Sequence, residues 1–166
     1  MNNSNMRTRW LRGITATVIA MGISLPALAE THERDNTDII RHAFDAWAAG
    51  TGGPYDLLAD DATWTITGNS AAARTYSTRE AFLSEVIRPF NARMKTSLKP
   101  TIRQIYQDGD TVIVFFDASG MARDDVPYAN TYAWFLTMRD GRIQNAVAFF
   151  DSITFDAFWN RVQPAQ

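Results

Sequence analysis

The chain has 166 residues, with 16 basic against 18 acidic side chains, two histidines and no cysteine. That inventory excludes disulfides, thiolate chemistry and zinc–thiolate or histidine-rich metal sites. A net charge of −2 speaks against a nucleic-acid binder, which needs a basic face.

The first stretch reads as an export leader. Arg7, Arg9 and Arg12 precede an apolar run from Gly13 to Leu25, Pro26 breaks it, and Ala27-Leu28-Ala29 supplies the small residues of a cleavage site. The run is short for a membrane span, which needs about 20 apolar residues. Residues 1–29 are therefore expected to be a signal peptide, cleaved near Ala29, with the mature protein periplasmic or secreted and free of the membrane. The three leader arginines leave without any acid, so the mature chain is more acidic still. Its length suits one domain with its own core.

Residues 30–37 are polar and expected to be loose. Ile39, Ile40, Ala43, Phe44 and Trp47 then recur at helical spacing, with Asn36 or Thr37 as the cap. Gly50-Thr51-Gly52-Gly53-Pro54 ends that helix, and Tyr55 to Leu58 can add a single turn. Thr63 to Ile66 has strand chemistry, closed by Gly68-Asn69. Residues 69–76 read as a loop. Ser77 stands three residues before Glu80, a capping-box spacing. Phe82, Val86 and Phe90 share a helical face, which Pro89 should kink or split. Four strands follow, joined by turns at Asp108-Gly109-Asp110, Asp124-Asp125 and Asp140-Gly141. Ser152 to Val162 predicts a final helix. Consecutive strands with tight turns make an antiparallel meander, so the class is α+β.

The segments "LLADDATWTITGNS", "YSTREAFLSEVIRPF" and "YANTYAWFLTMRDGRIQNAVAFFDS", in this order and spacing, resemble the SnoaL-like, ketosteroid-isomerase-like branch of the nuclear-transport-factor-2-like superfamily. The resemblance covers about Asp38 to Val162, so the domain is placed at 38–166. It implies a cone: a bent antiparallel sheet wrapped around helices with an internal apolar cavity, and in many members a homodimer formed through the sheet. It implies activities that range from isomerases, polyketide cyclases, hydrolases and dehydratases to non-catalytic binding proteins. The steroid isomerases place an aspartate base just after the first strand. Here that position is near Ile66, flanked by Thr65 and Thr67, and helix one offers Phe44 and Trp47 where an oxyanion tyrosine would stand. That mechanism does not carry over.

The polyketide cyclases place an acid/base aspartate at the end of the last strand, and Asp151 resembles it. Strand alternation would align Asn145, Val147, Phe149 and Asp151 on one face, and an apolar wall would raise the carboxyl pKa. Two readings of Asp151 stay open: a catalytic acid/base facing the cavity, or an N-cap of the last helix. Asn130, Tyr132 and Trp134 share one face of the third meander strand, as substrate-binding groups or as packing. Trp64, Tyr76 and Phe149 are further substrate-binding candidates. Asp117 should face solvent, opposite Val114 and Phe116.

The expectation is an exported protein that binds a small hydrophobic ligand, without cofactor or metal. It is a cofactor-independent acid/base enzyme (isomerase, cyclase, hydrolase or dehydratase type) or a non-catalytic ligand-binding or dimerisation module. A homodimer is expected, and no nucleic-acid partner.

Overall fold

The computed structural model describes residues 27–165, so the leader expected over residues 1–29 lies almost wholly outside the described residues. Helix α1 spans Ala27–Ala49. Its helical backbone runs through residues 30–37, the stretch expected to be loose. No Gly or Pro interrupts α1, so nothing in that stretch breaks the turn. Asn36 and Thr37 accordingly lie inside the helix and do not cap it. Ile40 and Phe44 turn into the core, and Asn36 is buried beside them.

A 3-10 turn at Pro54–Leu57 leads into β1 (Leu58–Ile66). The expected loop over 69–76 closes on a two-residue strand, β2 (Thr75–Tyr76). Thr78, not Ser77, caps α2 (Arg79–Phe82), with its hydroxyl accepting from the Ala81 amide at 3.1 Å. The expected break near Pro89 takes the form of a widened π turn over Leu83–Ile87, followed by α3 (Arg88–Asn91). Pro89 has no N–H for the regular ladder, and the Arg88 amide reaches back five residues to Leu83 O.

The meander follows as β3 (Lys99–Asp108), β4 (Thr111–Met121), β5 (Pro127–Arg139) and β6 (Arg142–Phe150), and α4 (Ser152–Arg161) closes the chain. The strands form one curled, unclosed sheet in the order β2-β1-β6-β5-β4-β3. All pairs are antiparallel except β1 with β6, which run parallel. That exception amends the all-antiparallel expectation. The long excursion between β1 and β6 supplies the crossover that a parallel pair requires. At the β5–β6 hairpin, Asp140 and Gly141 both take positive φ (52° and 71°), as a two-residue turn of this hand demands.

The concave face carries the core. Val112, Val114, Phe116 and Ala118 alternate inward on β4, and Tyr128, Asn130, Tyr132, Trp134, Leu136 and Met138 do so on β5. Asp117 faces outward as expected, accepting from Thr131 Oγ1 and Arg103 Nε, each at 2.6 Å. On β6 the alternation slips. Thr137 pairs Asn145 but Met138 pairs Ile143, which leaves Gln144 as an extra residue. Beyond this bulge Ala146 and Ala148 face inward, while Phe149 is 48 % exposed on the convex side.

The α3–β3 loop folds back over the end of β4. Lys95 N and Thr96 N donate to Met121 O at 2.8 and 3.1 Å, and Thr96 Oγ1 accepts from Met121 N at 2.9 Å. Gly120 permits this approach: a Cβ there would sit 3.1 Å from the carbonyl oxygens of Thr96 and Ser97 and 2.7 Å from Met94 Cε. Among the described residues no helix is long and apolar enough to cross a membrane.

Candidate functional site

Helices and sheet enclose an open cleft of about 530 Å³. Its floor is Trp64 from β1, Tyr132 and Trp134 from β5 and Phe150 from β6; Phe82, Val86 and Phe90 form one wall. Trp47 and Tyr55 form the other wall, and the Gly50–Gly53 turn and the 94–98 loop frame the mouth. The rings hold one another. Trp64 stacks on Phe82 at 4.3 Å and 8°, Trp47 stacks on Trp134 at 5.8 Å and 10°, and Trp64 meets Trp134 edge-on at 5.0 Å. Interlocked rings of this kind lose little freedom when a flat molecule enters.

The polar groups within the cleft are uncharged donors. The indole N–H groups of Trp64 and Trp134 and the Tyr55 hydroxyl have no hydrogen-bond partner among the described residues. The buried polar atoms without partners lie elsewhere, on Asn36, Ser70 and Arg79. The side chains that carry these donors line the cleft. Tyr132 Oη lies 3.0 Å from Tyr128 Oη, which accepts from Asn130 Nδ2 at 3.1 Å. Burial raises the ionisation of Tyr55 and Tyr132 well above that of a free phenol, with a smaller push from the neighbouring Tyr128. Both stay protonated at neutral pH. Among the described residues Asp56 is the one carboxylate lining the cleft; it is exposed, and Gly53 N donates to its Oδ2 at 2.9 Å. The one lining cation among them, Lys95, is paired with Asp125. The described residues contain no grouping of side chains suited to a metal ion.

Of the residues expected from sequence, Trp64, Tyr132 and Trp134 meet at the cleft. Asn130 is buried behind it, accepting from Thr131 N and Asp151 N and donating to Asp151 O and Tyr128 Oη. Tyr76 is buried beyond Phe82, its hydroxyl donating to Ala72 O at 2.9 Å, and does not line the cleft. Phe149 lies on the convex face because of the Gln144 bulge.

Asp151 does not face the cleft. It is exposed and caps α4: Oδ1 accepts from Ile153 N at 2.9 Å and Thr154 N at 3.4 Å, and Oδ2 accepts from Thr154 Oγ1 at 2.7 Å. The Thr154 hydroxyl above all, then the backbone amides, hold its carboxyl below its ordinary 3.8. This is the opposite of the raised pKa that an acid/base role requires, and the geometry is that of the N-cap reading. The reading of the sequence missed Trp47 and Tyr55 as site residues. Their signal was an aromatic on each side of the Gly-rich turn.

The sequence model of the SnoaL-like domain matches residues 40–146. The chain belongs to the SnoaL-like family. Solved structures agree on its nuclear-transport-factor-2-like fold. Bal32a, from a soil-derived mobile gene cassette, superimposes with a TM-score of 0.63 at 19% identity, over 77% of this chain and 98% of its own. A protein from Jannaschia sp. CCS1 described as a SnoaL-like polyketide cyclase gives 0.62 at 15%, over 78% and 94%. TerC, co-crystallised with polyporic acid, gives 0.60 at 16%, over 76% and 98%. No curated protein matches the sequence.

In this SnoaL-like protein the Asp151 cap has a pH signature. A carboxyl with a lowered native pKa stabilises the fold above its unfolded value and loses that contribution as pH falls through the native value. Asp151→Ala should lower the melting temperature by a few degrees at neutral pH, whereas Asp151→Asn, which still caps, should lower it far less. The Ala deficit should shrink as pH falls through the native value, by the charge-assisted part of the cap, and then level off near the difference from Asp151→Asn, since a protonated carboxyl still accepts. A deficit that does not change as the pH falls would remove the carboxylate charge from the account.

Proposed function

We propose that this SnoaL-like protein holds a small, flat, hydrophobic molecule in the aromatic cleft and presents uncharged hydrogen-bond donors to it. The carrying observation is the interlocked set Trp47, Trp64, Phe82 and Trp134 around a space of about 530 Å³, within the range of small-molecule sites. The described neighbours support it, one a polyketide cyclase and one crystallised with polyporic acid. A second reading, cofactor-free acid/base catalysis of isomerase, cyclase, hydrolase or dehydratase type, now depends on Asp56, the carboxylate at the mouth. With that group exposed and already accepting from Gly53 N, binding is the better supported of the two.

We also infer self-association through the convex face. Tyr106, Ile113, Phe135 and Val147 lie in one row across β3 to β6, with Phe115 and Phe149 in the next. Phe135 and Phe149 touch at 5.8 Å and are 37 % and 48 % exposed. An apolar patch of this kind favours burial against a partner, and a second copy offers the same patch. Export is proposed on the strength of the leader pattern in residues 1–29.

Three measurements test these readings. Fluorene, a flat hydrocarbon, should quench tryptophan fluorescence saturably, and Trp64→Ala should weaken it by about tenfold; no binding, or equal binding by the variant, ends the cleft reading. Sedimentation should give a dimer that Phe135→Asp with Phe149→Asp converts to a folded monomer; a wild-type monomer at about 50 μM, well above a micromolar Kd, ends the second. The intact mass of protein recovered from outside the cytoplasm should correspond to cleavage near Ala29. Recovery of the uncleaved chain in the cytoplasm alone would reject export.

A further inference from the structure

The hydroxyls beside the cleft are ordered by one side chain with no freedom. Both contacts of Asn130 Oδ1 are backbone N–H groups, of Thr131 at 2.8 Å and Asp151 at 3.0 Å. An amide turned the other way would set its NH2 against two donors, so these partners fix which end is oxygen. Nδ2 then donates to Asp151 O at 3.0 Å and to Tyr128 Oη at 3.1 Å. All four hydrogen-bonding positions of the amide are taken.

Tyr128 Oη thus accepts a hydrogen bond from Asn130. Its own proton has one acceptor among the described residues, Tyr132 Oη at 3.0 Å. Were Tyr132 to donate to Tyr128 instead, the Tyr128 proton would be stranded, because Tyr128 is buried and its other partner, Asn130 Nδ2, is itself a donor. A stranded buried donor carries a desolvation cost that the first arrangement avoids. Tyr132 Oη is therefore the acceptor toward Tyr128. Its own O–H is left over, and Tyr132 lines the cleft whereas Tyr128 and Asn130 do not.

We propose that Tyr132 is the cleft donor whose direction is fixed, set in that role by Asn130 through Tyr128, beside the Tyr55 and indole donors, and that it selects ligands placing a carbonyl-type oxygen against it. This rests on the reading of the cleft as a site for flat apolar molecules. Tyr128 and Asn130 are positioning residues, each acting through the next oxygen along the chain. The alignment Asn130 to Tyr128 to Tyr132 also strengthens the last donor, since each bond polarises the next. Burial keeps both hydroxyls protonated, so the donor is present throughout the neutral range.

The test titrates the full chain with fluorene and with 9-fluorenone, which differ at one carbon by a carbonyl oxygen. Affinity is read by tryptophan quenching, and the bound ketone by its infrared carbonyl stretch. Wild type should prefer fluorenone and move the stretch to lower frequency. Tyr132→Phe should lose the preference, by about five- to tenfold, and the band shift with it, its effect on fluorenone exceeding its effect on fluorene. Tyr128→Phe keeps the Tyr132 hydroxyl, so its preference and band shift should fall between those two, again with fluorenone affected more than fluorene. Equal losses for both probes in Tyr128→Phe would mean a merely structural role and would overturn the proposal. So would a band that Tyr132→Phe fails to move. If fluorene binds but fluorenone binds no tighter to wild type, only this proposal falls; if fluorene does not bind, the cleft reading falls and takes the proposal with it.

Discussion

Asn130 is the side chain on which the concave end of the molecule depends. It sits on β5, yet its amide takes both backbone groups of Asp151 at the junction of β6 and α4. One buried residue thus fixes where the last strand stops, where the last helix starts, and how the neighbouring tyrosines stand. Its burial is tolerable because no hydrogen-bonding capacity is left unused; a partly satisfied amide there would be worse than an apolar residue. The aspartate beside it is freed to cap α4, and the same junction therefore has two polar residues with different duties. One organises the interior and the other finishes a helix at the surface.

The cleft is built on that frame. Aromatic side chains from α1, the 3-10 turn, β1, α2, β5 and β6 touch in pairs, and no single element supplies the site. This spreads the cost of ordering over the core itself, because Trp64, Phe82 and Trp134 are buried packing residues and cleft residues at once. Packing and binding are usually weighed as competing readings of a strand tryptophan, and here they coincide. Among the described lining residues the charged groups are Asp56 and the paired Lys95, so the aromatic floor and walls donate hydrogen bonds without offering charge.

Local chemistry made part of this legible. The order of helices and strands followed from periodicity and turn residues, and Asp140-Gly141 identified its hairpin without help. The face shared by Asn130, Tyr132 and Trp134 followed from alternation, because β5 is regular through that stretch. Alternation failed on β6, where a single extra residue at Gln144 exchanged the two faces and sent Phe149 outward. Nothing about Gln144 announces a bulge. The parallel pairing of β1 with β6 was equally hidden, since it joins strands far apart in the chain. Asp151 was legible as a residue with two offices, and the orientation that chose between them is a tertiary fact. Trp47 and Tyr55 flank a glycine turn whose path, not its composition, brings them together.

The widened turn at Leu83–Ile87 has a consequence for the wall above the floor. Phe82, Val86, Phe90 and Met94 stand four residues apart. A regular α-helix advances about 100° per residue, so Phe82 and Phe90 would diverge by roughly 80° around its axis. The π turn winds more slowly and returns these side chains to one line. Alignment of the wall is thus a matter of residue count. Loss of one residue between Leu83 and Ile87 would leave seven positions from Phe82 to Phe90, roughly 700° at the regular pitch, so a tighter helix one residue shorter would keep both rings on the same wall.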